Sequence, residues 1–197
     1  MKRAVFLAAL LNASIAAANP YTVETAIYRV EVSSRNGNQV NTSTGTGVLI
    51  AQDKILTNCH VVQGQSGWPK VVHRQSGQIF NVTKYYNLGN YDACVLVGGF
   101  AGNPVRLASN IVEGENVWIF GFPGRVPVVG QGTVDKYVDT DKGVSLLLNA
   151  FCAPGSSGGP VVNSKGELVG LNWGVFRYQS KCLSIPAGDL SQFLTGS

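Results

Sequence analysis

Pro154-Gly155-Ser156-Ser157-Gly158-Gly159-Pro160-Val161-Val162-Asn163 is the stretch on which the reading of this chain turns. It sets a serine in a glycine-rich turn and follows it with β-branched residues. In such a turn the backbone N–H groups can be aimed at a developing negative charge. A second stretch, Thr57-Asn58-Cys59-His60-Val61-Val62, places one of only two histidines at the end of an apolar run. A third, Tyr91-Asp92-Ala93-Cys94-Val95-Leu96-Val97, reads as an apolar strand that holds one acidic residue. A carboxylate there is costly to bury unless it is hydrogen-bonded, and an imidazole N–H would supply the partner. Acyl-transfer chemistry needs a nucleophilic hydroxyl, a general base and a group that orients the base. Ser157, His60 and Asp92 fill those roles in the chain order His, Asp, Ser.

The rival assignments are weaker. A glycine–serine turn is often only a turn. Gly-x-Ser-x-Gly also matches the nucleophile elbow of α/β-hydrolases, but that arrangement needs a histidine after the serine. Both histidines, His60 and His73, precede Ser157. His73, in Val71-Val72-His73-Arg74, reads as a strand residue facing solvent. Asp53, beside Lys54 in a turn, reads as solvated.

The contexts of these residues resemble the chymotrypsin-fold serine proteases, and more narrowly the protease domain of the HtrA (Deg) type. Thr44-Gly45-Thr46-Gly47-Val48-Leu49-Ile50 looks like the strand before the family's histidine. Asp92-Ala93-Cys94-Val95-Leu96 resembles its Asp-x-Ala-x-Leu strand, and Val117–Gly124 resembles the turn that opens its second barrel. Gly166-Glu167-Leu168-Val169-Gly170-Leu171-Asn172 and Ile185-Pro186 continue the pattern. The resemblance implies an all-β fold of two six-stranded antiparallel β-barrels, with the active site between them and a short C-terminal helix. It places His60 and Asp92 in an N-terminal barrel (19–103) and Ser157 in a C-terminal one (104–197). It also implies an oxyanion hole made by the amides of Gly155 and Ser157. Phe151, Cys152, Asn172, Trp173 and Gly174 are the expected substrate-binding residues, Asn172–Gly174 as an edge that pairs with extended substrate. Neither pocket wall carries an acidic side chain, and Phe151 is expected to shorten the pocket. Cleavage is therefore expected after small or medium apolar residues. No PDZ domain is expected after Leu194, a departure from full-length HtrA proteins. Ser156 stands where many trypsin-like zymogens carry an aspartate, so activation by insertion of a new N-terminus is not expected.

Composition agrees with short strands joined by turns: 24 glycines and 13% charged residues, with apolar runs broken by turn signals. Ala26–Val32, Gly47–Ile50, Lys70–His73, Ile79–Val82, Ala93–Val97, Val117–Phe120, Val144–Leu148 and Leu168–Leu171 read as strands. Ser34 to Thr46 reads as a solvated loop, Gly98–Pro104 as the link between halves, and Asp189–Leu194 as a helix. Residues 1–18 read as a cleavable signal peptide: Lys2 and Arg3, an apolar stretch, then Ala16-Ala17-Ala18. That stretch is too short and too interrupted for a spanning helix. Net charge is only +4, and two of the cations lie in this leader. That excludes an argument for nucleic-acid or membrane-surface binding.

Export permits disulfides, and the four cysteines are an even count. Their spacing does not suggest zinc, and no metal or cofactor is expected. If the triad forms, Cys59 and Cys94 become neighbours. Cys152 and Cys182 resemble the bridge beside the specificity pocket of many chymotrypsin-like enzymes. The HtrA-type domains generally lack both bridges, and buried free thiols are the alternative. The resulting expectation is a secreted or periplasmic serine endopeptidase, monomeric, acting on protein or peptide substrates. A non-catalytic binding protein on the same fold is the alternative.

Overall fold

The computed structural model describes residues 18–36, 39–64, 66–176 and 179–194. The expected leader lies outside them apart from Ala18. Antiparallel strands dominate, as short apolar runs between turns require. A 3-10 turn, Pro20–Ala26, is capped by the Asn19 side chain, which accepts from the Tyr21 amide at 3.0 Å. It leads into β1 (Ile27–Asn36), β2 (Gln39–Ala51), β3 (Lys54–Thr57), the single turn α1 (Cys59–Val62), β4 (Lys70–His73), β5 (Ile79–Asn81), β6 (Lys84–Asn87) and β7 (Cys94–Val97). After a crossing segment come β8 (Asn116–Gly121), β9 (Val128–Thr140), β10 (Gly143–Asn149), β11 (Pro160–Val162), β12 (Leu168–Phe176), β13 (Lys181–Pro186) and the helix α2 (Ala187–Leu194).

The second group of strands closes into a six-stranded barrel in the order β10-β13-β12-β11-β8-β9. The first forms a seven-stranded sheet, β5-β4-β1-β2-β3-β7-β6, in place of the six-stranded barrel expected. Its two edge strands are consecutive in sequence and joined only by Val82 and Thr83. Three Cα steps span at most about 11 Å, so the sheet must curl until its edges meet. The gap is thus bridged by the chain itself rather than by a ladder of hydrogen bonds.

Ser34 to Thr46 is not a loop. Pairing of β1 with β2 continues through Ser33↔Thr42, Ser34↔Asn41 and Arg35↔Val40. Toward the tip of this hairpin arm Arg35, Gln39, Val40 and Asn41 are all exposed, so both faces meet solvent there and no apolar alternation marks the strands. The strands β6, β9, β11 and β13 were likewise not singled out in the sequence.

One apolar cluster joins the two halves. Val30, Leu49, Leu56 and Leu96 of the first sheet share it with Phe120, Val162 and Leu171 of the second and with Leu190 of α2. The segment between them is stitched to both: the Val105 amide donates to Leu49 at 2.9 Å and the Ala108 amide to Leu168 at 2.9 Å.

His73 is buried rather than solvent-facing. It is 8% exposed, with Nε2 3.0 Å from the Thr25 carbonyl and Nδ1 2.9 Å from Ser76 Oγ. A carbonyl only accepts, so Nε2 carries the proton and Nδ1 accepts from the hydroxyl. Both nitrogens are used structurally.

Candidate active site

His60 projects from α1, the turn that follows β3 directly. Its Nδ1 lies 2.7 Å from Asp92 Oδ2, and its amide donates to Asp92 Oδ1 at 3.0 Å. The carboxylate therefore holds both the backbone and the ring of the same residue. Asp92 is not inside the strand but in the bend just before β7, where its side chain can turn toward α1; that side chain is 8% exposed. The Asn58 side chain donates to the Asp92 carbonyl at 2.6 Å. A disulfide links Cys59 to Cys94, with Cα atoms 4.9 Å apart, pinning the residue before the histidine to one just past the aspartate.

Burial disfavours charge on Asp92, but hydrogen bonds from His60 and from the Lys142 ammonium outweigh it. They hold the carboxyl far below the usual carboxylate range. An ionised carboxylate only accepts, so Nδ1 of His60 carries its proton and Nε2 is free to accept one from a hydroxyl.

Ser157 arrives from the opposite barrel, in the turn before β11. Two glycines allow that approach. A Cβ at Gly45 would fall 2.6 Å from Val61 Cγ2 and 3.0 Å from the Ser157 carbonyl. A Cβ at Gly158 would fall 2.2 Å from the Thr46 carbonyl and 2.9 Å from the Asn58 amide. The serine turn is thereby pressed against the residues that flank His60. No hydrogen bond joins Ser157 Oγ to His60 here; such contacts are often long in substrate-free sites and tighten with substrate.

Thr46, fully buried in β2, fixes the turn. Its amide donates to the Ser157 carbonyl at 2.7 Å and its hydroxyl to the Gly155 carbonyl at 2.7 Å, while Phe122 N–H donates back to that hydroxyl at 3.1 Å. With those carbonyls turned inward, the amides of Gly155 and Ser157 have no acceptor among the described residues. Gly155 has φ of 103°, in the region that favours glycine.

A cavity of about 520 Å³ opens beside Ser157, lined by Cys152, Ala153, Pro154, Asn172, Gly174 and Val175. The Cys152–Cys182 disulfide, with Cα atoms 6.0 Å apart, ties one wall to β13. Asn172 is buried and braces the serine turn through its side chain, which donates to the Ser156 carbonyl at 3.1 Å. Phe151 does not shorten the cavity. The residue is 59% exposed and is not among those lining the cavity. Trp173 is not a wall either: it occupies a bulge in the β12–β13 pairing, which redirects its side chain away from the cavity. Gly174 and Val175 pair with β13 on one side and with no strand on the other among the described residues, leaving an edge beside the cavity.

Residues 45–171 match the family described as trypsin-like peptidase domain. The chain belongs to that family. A glutamyl endopeptidase from Staphylococcus aureus (strain MRSA252) is 26% identical over 165 residues, covering 69% of this chain and 45% of the relative. A second, from strain MW2, is 27% identical over 165 residues, covering 69% of this chain and 49% of the relative. The chain thus spans about half the length of the curated relatives it matches. Among solved structures, the active form of the Rv3671c protease from M. tuberculosis superposes with a TM-score of 0.76 at 20% identity. That match covers 91% of this chain and 87% of the other, and it speaks for the chymotrypsin-like fold. The narrower HtrA resemblance has only the sequence motifs behind it.

Lys142 and Thr46 were not recognised in the sequence. Lys142 lies in the turn Asp141-Lys142-Gly143, which reads only as a hairpin. Thr46 does sit in the Gly-Thr-Gly motif, but the motif does not say which carbonyls it holds. Among the described residues no group of three or more His, Cys, Asp or Glu side chains is placed to hold a metal. No helix among them is long and apolar enough to cross a membrane.

Proposed function

We propose that this chain is an exported serine endopeptidase in which His60, Asp92 and Ser157 form the catalytic triad. The observation that carries the reading is the double hold of Asp92 on His60, at 2.7 and 3.0 Å, beside a serine turn with two unengaged amides. His60 Nε2 takes the Ser157 proton as Oγ attacks the peptide carbonyl. The resulting oxyanion is met by the amides of Gly155 and Ser157, a contribution of roughly 3–4 kcal/mol per donor. His60 then returns the proton to the leaving amine, and water repeats the sequence on the acyl-enzyme. Asp92 keeps its charge throughout and stabilises the imidazolium. Extended substrate pairs with the Gly174–Val175 edge.

The residue before the scissile bond enters the cavity bounded by Cys152, Ala153, Pro154, Asn172, Gly174 and Val175. These walls favour a small or medium apolar side chain. The glutamyl endopeptidase relatives suggest glutamate instead, but none of the lining residues is a cation that would pair with a buried carboxylate. Two disulfides fit an oxidising compartment outside the cytoplasm. The enzyme acts as a monomer on protein substrates, without cofactor, nucleic acid or membrane partner.

The test is labelling with a fluorophosphonate probe, which should modify Ser157 in the parent and not in Ser157→Ala. An unlabelled, correctly folded parent would favour a non-catalytic binding protein on this fold.

A further inference from the structure

The hairpin between β9 and β10 reaches across the interface to the first sheet. Lys142 Nζ lies 2.7 Å from Asp92 Oδ2, the same oxygen that receives His60 Nδ1–H. The ammonium also sits 4.8 Å from the centre of the Trp173 ring, within cation–π range.

Several contacts aim it there. Thr140 Oγ1 accepts from the Lys142 amide at 3.2 Å and donates to the Gly143 carbonyl at 2.7 Å, setting the turn. Gly143 has φ of 96°, the left-handed region in which glycine is favoured. The Trp173 indole donates to Ser145 Oγ at 3.2 Å, fixing the ring against which the lysine rests. Asp141, in the same turn, is exposed.

We propose that Lys142 is a positioning residue of the triad: clamped between Trp173 and Asp92, it lets the barrel that carries Ser157 hold the carboxylate that orients His60. The proposal rests on the triad assignment above. Nucleophile and base come from different halves of the molecule, so their alignment depends on how firmly those halves are tied at the site. Thr46 ties the first sheet to the serine turn. Lys142 is the reciprocal tie, from the second barrel to the acid. The charge has a second consequence. A cation 2.7 Å from the carboxylate that pairs with His60 opposes the gain of a further positive charge there. The charged groups acting here are Asp92, from the segment before β7, and Lys142, from the β9–β10 turn.

The experiment compares the parent with Lys142→Met, which keeps the stem and loses the charge, and Lys142→Arg, which keeps the charge. The acid limb of kcat/KM and the His60 ring titration followed by NMR are measured for each. Lys142→Met should move both to higher pH by about one unit, which lowers kcat/KM about tenfold below the limb. KM should change little, and Lys142→Arg should stay near the parent. A parent labelled at Ser157 whose limb and ring titration are unmoved in Lys142→Met overturns this role and leaves the protease reading standing. A shift that Lys142→Arg reproduces in full also overturns it, since the charge would then not be its cause. A parent that fails to label at Ser157 overturns the protease reading, and this role with it.

Discussion

Thr46 and Ser157 come from opposite halves of the molecule, and the Thr46 amide donates to the Ser157 carbonyl at 2.7 Å. The Thr46 hydroxyl adds a second bond, to the Gly155 carbonyl. This one residue engages both carbonyls of the serine turn, while both amides have no acceptor among the described residues. Its own carbonyl accepts from Thr57 Oγ1 at 2.6 Å, close to His60 in sequence. One buried strand residue thus ties the Ser157 turn to the end of the strand before His60.

Thr46→Val should expose this dependence. It leaves the Gly155 carbonyl and the Phe122 amide with only their long mutual contact of 3.4 Å, and a poorly met buried polar group costs about 1–3 kcal/mol. The urea midpoint should fall, and kcat should fall more than KM rises. Thr46→Ser keeps the hydroxyl and should recover most of both. Unchanged kcat in a folded Thr46→Val protein would show that the serine turn holds its shape unaided.

Gly155→Ala tests the oxyanion hole. A Cβ there would lie 2.4 Å from the Phe122 carbonyl, at a φ of 103° that side chains rarely adopt. The turn must shift and carry the amide away from the oxyanion. Loss of one such donor costs about 10²–10³ in kcat. Peptide turnover by a protein with an intact circular dichroism spectrum is the measurement, and near-parent turnover would argue against this amide as a donor.

The two disulfides should differ in their effect on activity. Each is expected to contribute roughly 2–4 kcal/mol to stability. Only Cys59–Cys94 brackets the base and the acid, so a Cys59→Ala/Cys94→Ala protein should lose turnover toward every substrate. Cys152→Ala/Cys182→Ala loosens a pocket wall and should alter substrate preference. Kinetics across a peptide panel check this, and the reverse pattern would contradict it.

Acid conditions probe Asp92. Its carboxyl titrates well below the unfolded value of 3.8. A group lowered in this way contributes stability that is fully present above its unfolded pKa and is lost as pH falls through the folded one. The stability gap between the parent and Asp92→Asn should therefore narrow on going from about pH 6 to about pH 2. At neutral pH the same variant should lose about 10³–10⁴ in kcat, because Asn can hold the wrong imidazole tautomer. A gap that stays constant with pH would mean that the carboxylate is not selectively stabilised by folding.

Cleavage of a peptide library decides the pocket. Dominant cutting after alanine, valine or leucine is expected. Cutting after glutamate would align this chain with its Staphylococcus aureus relatives and require a cation outside the residues that line the cavity.

Local chemistry, together with the family resemblance, singled out His60, Asp92 and Ser157 in the sequence. A carboxylate bordering an apolar run, a histidine after a β-run and a serine among glycines each signal their environment through immediate neighbours. The Cys59–Cys94 bridge followed once those residues were placed together, and Cys152–Cys182 from the resemblance to chymotrypsin-like enzymes. Long-range aim was not legible. Lys142 sits in an ordinary turn, and only the closure of the second barrel carries that turn onto Asp92. The burial of His73 depended on Thr25, 48 residues earlier, meeting its Nε2. The exposure of Phe151 had no local signal, and the outer part of the polar hairpin arm formed because its backbone groups paired although its side chains are exposed on both faces. Side-chain identity and spacing encode what a residue can do and which local structure it prefers. Which distant residue it meets is decided by strand register and barrel closure, which are sums over contacts far apart in the chain.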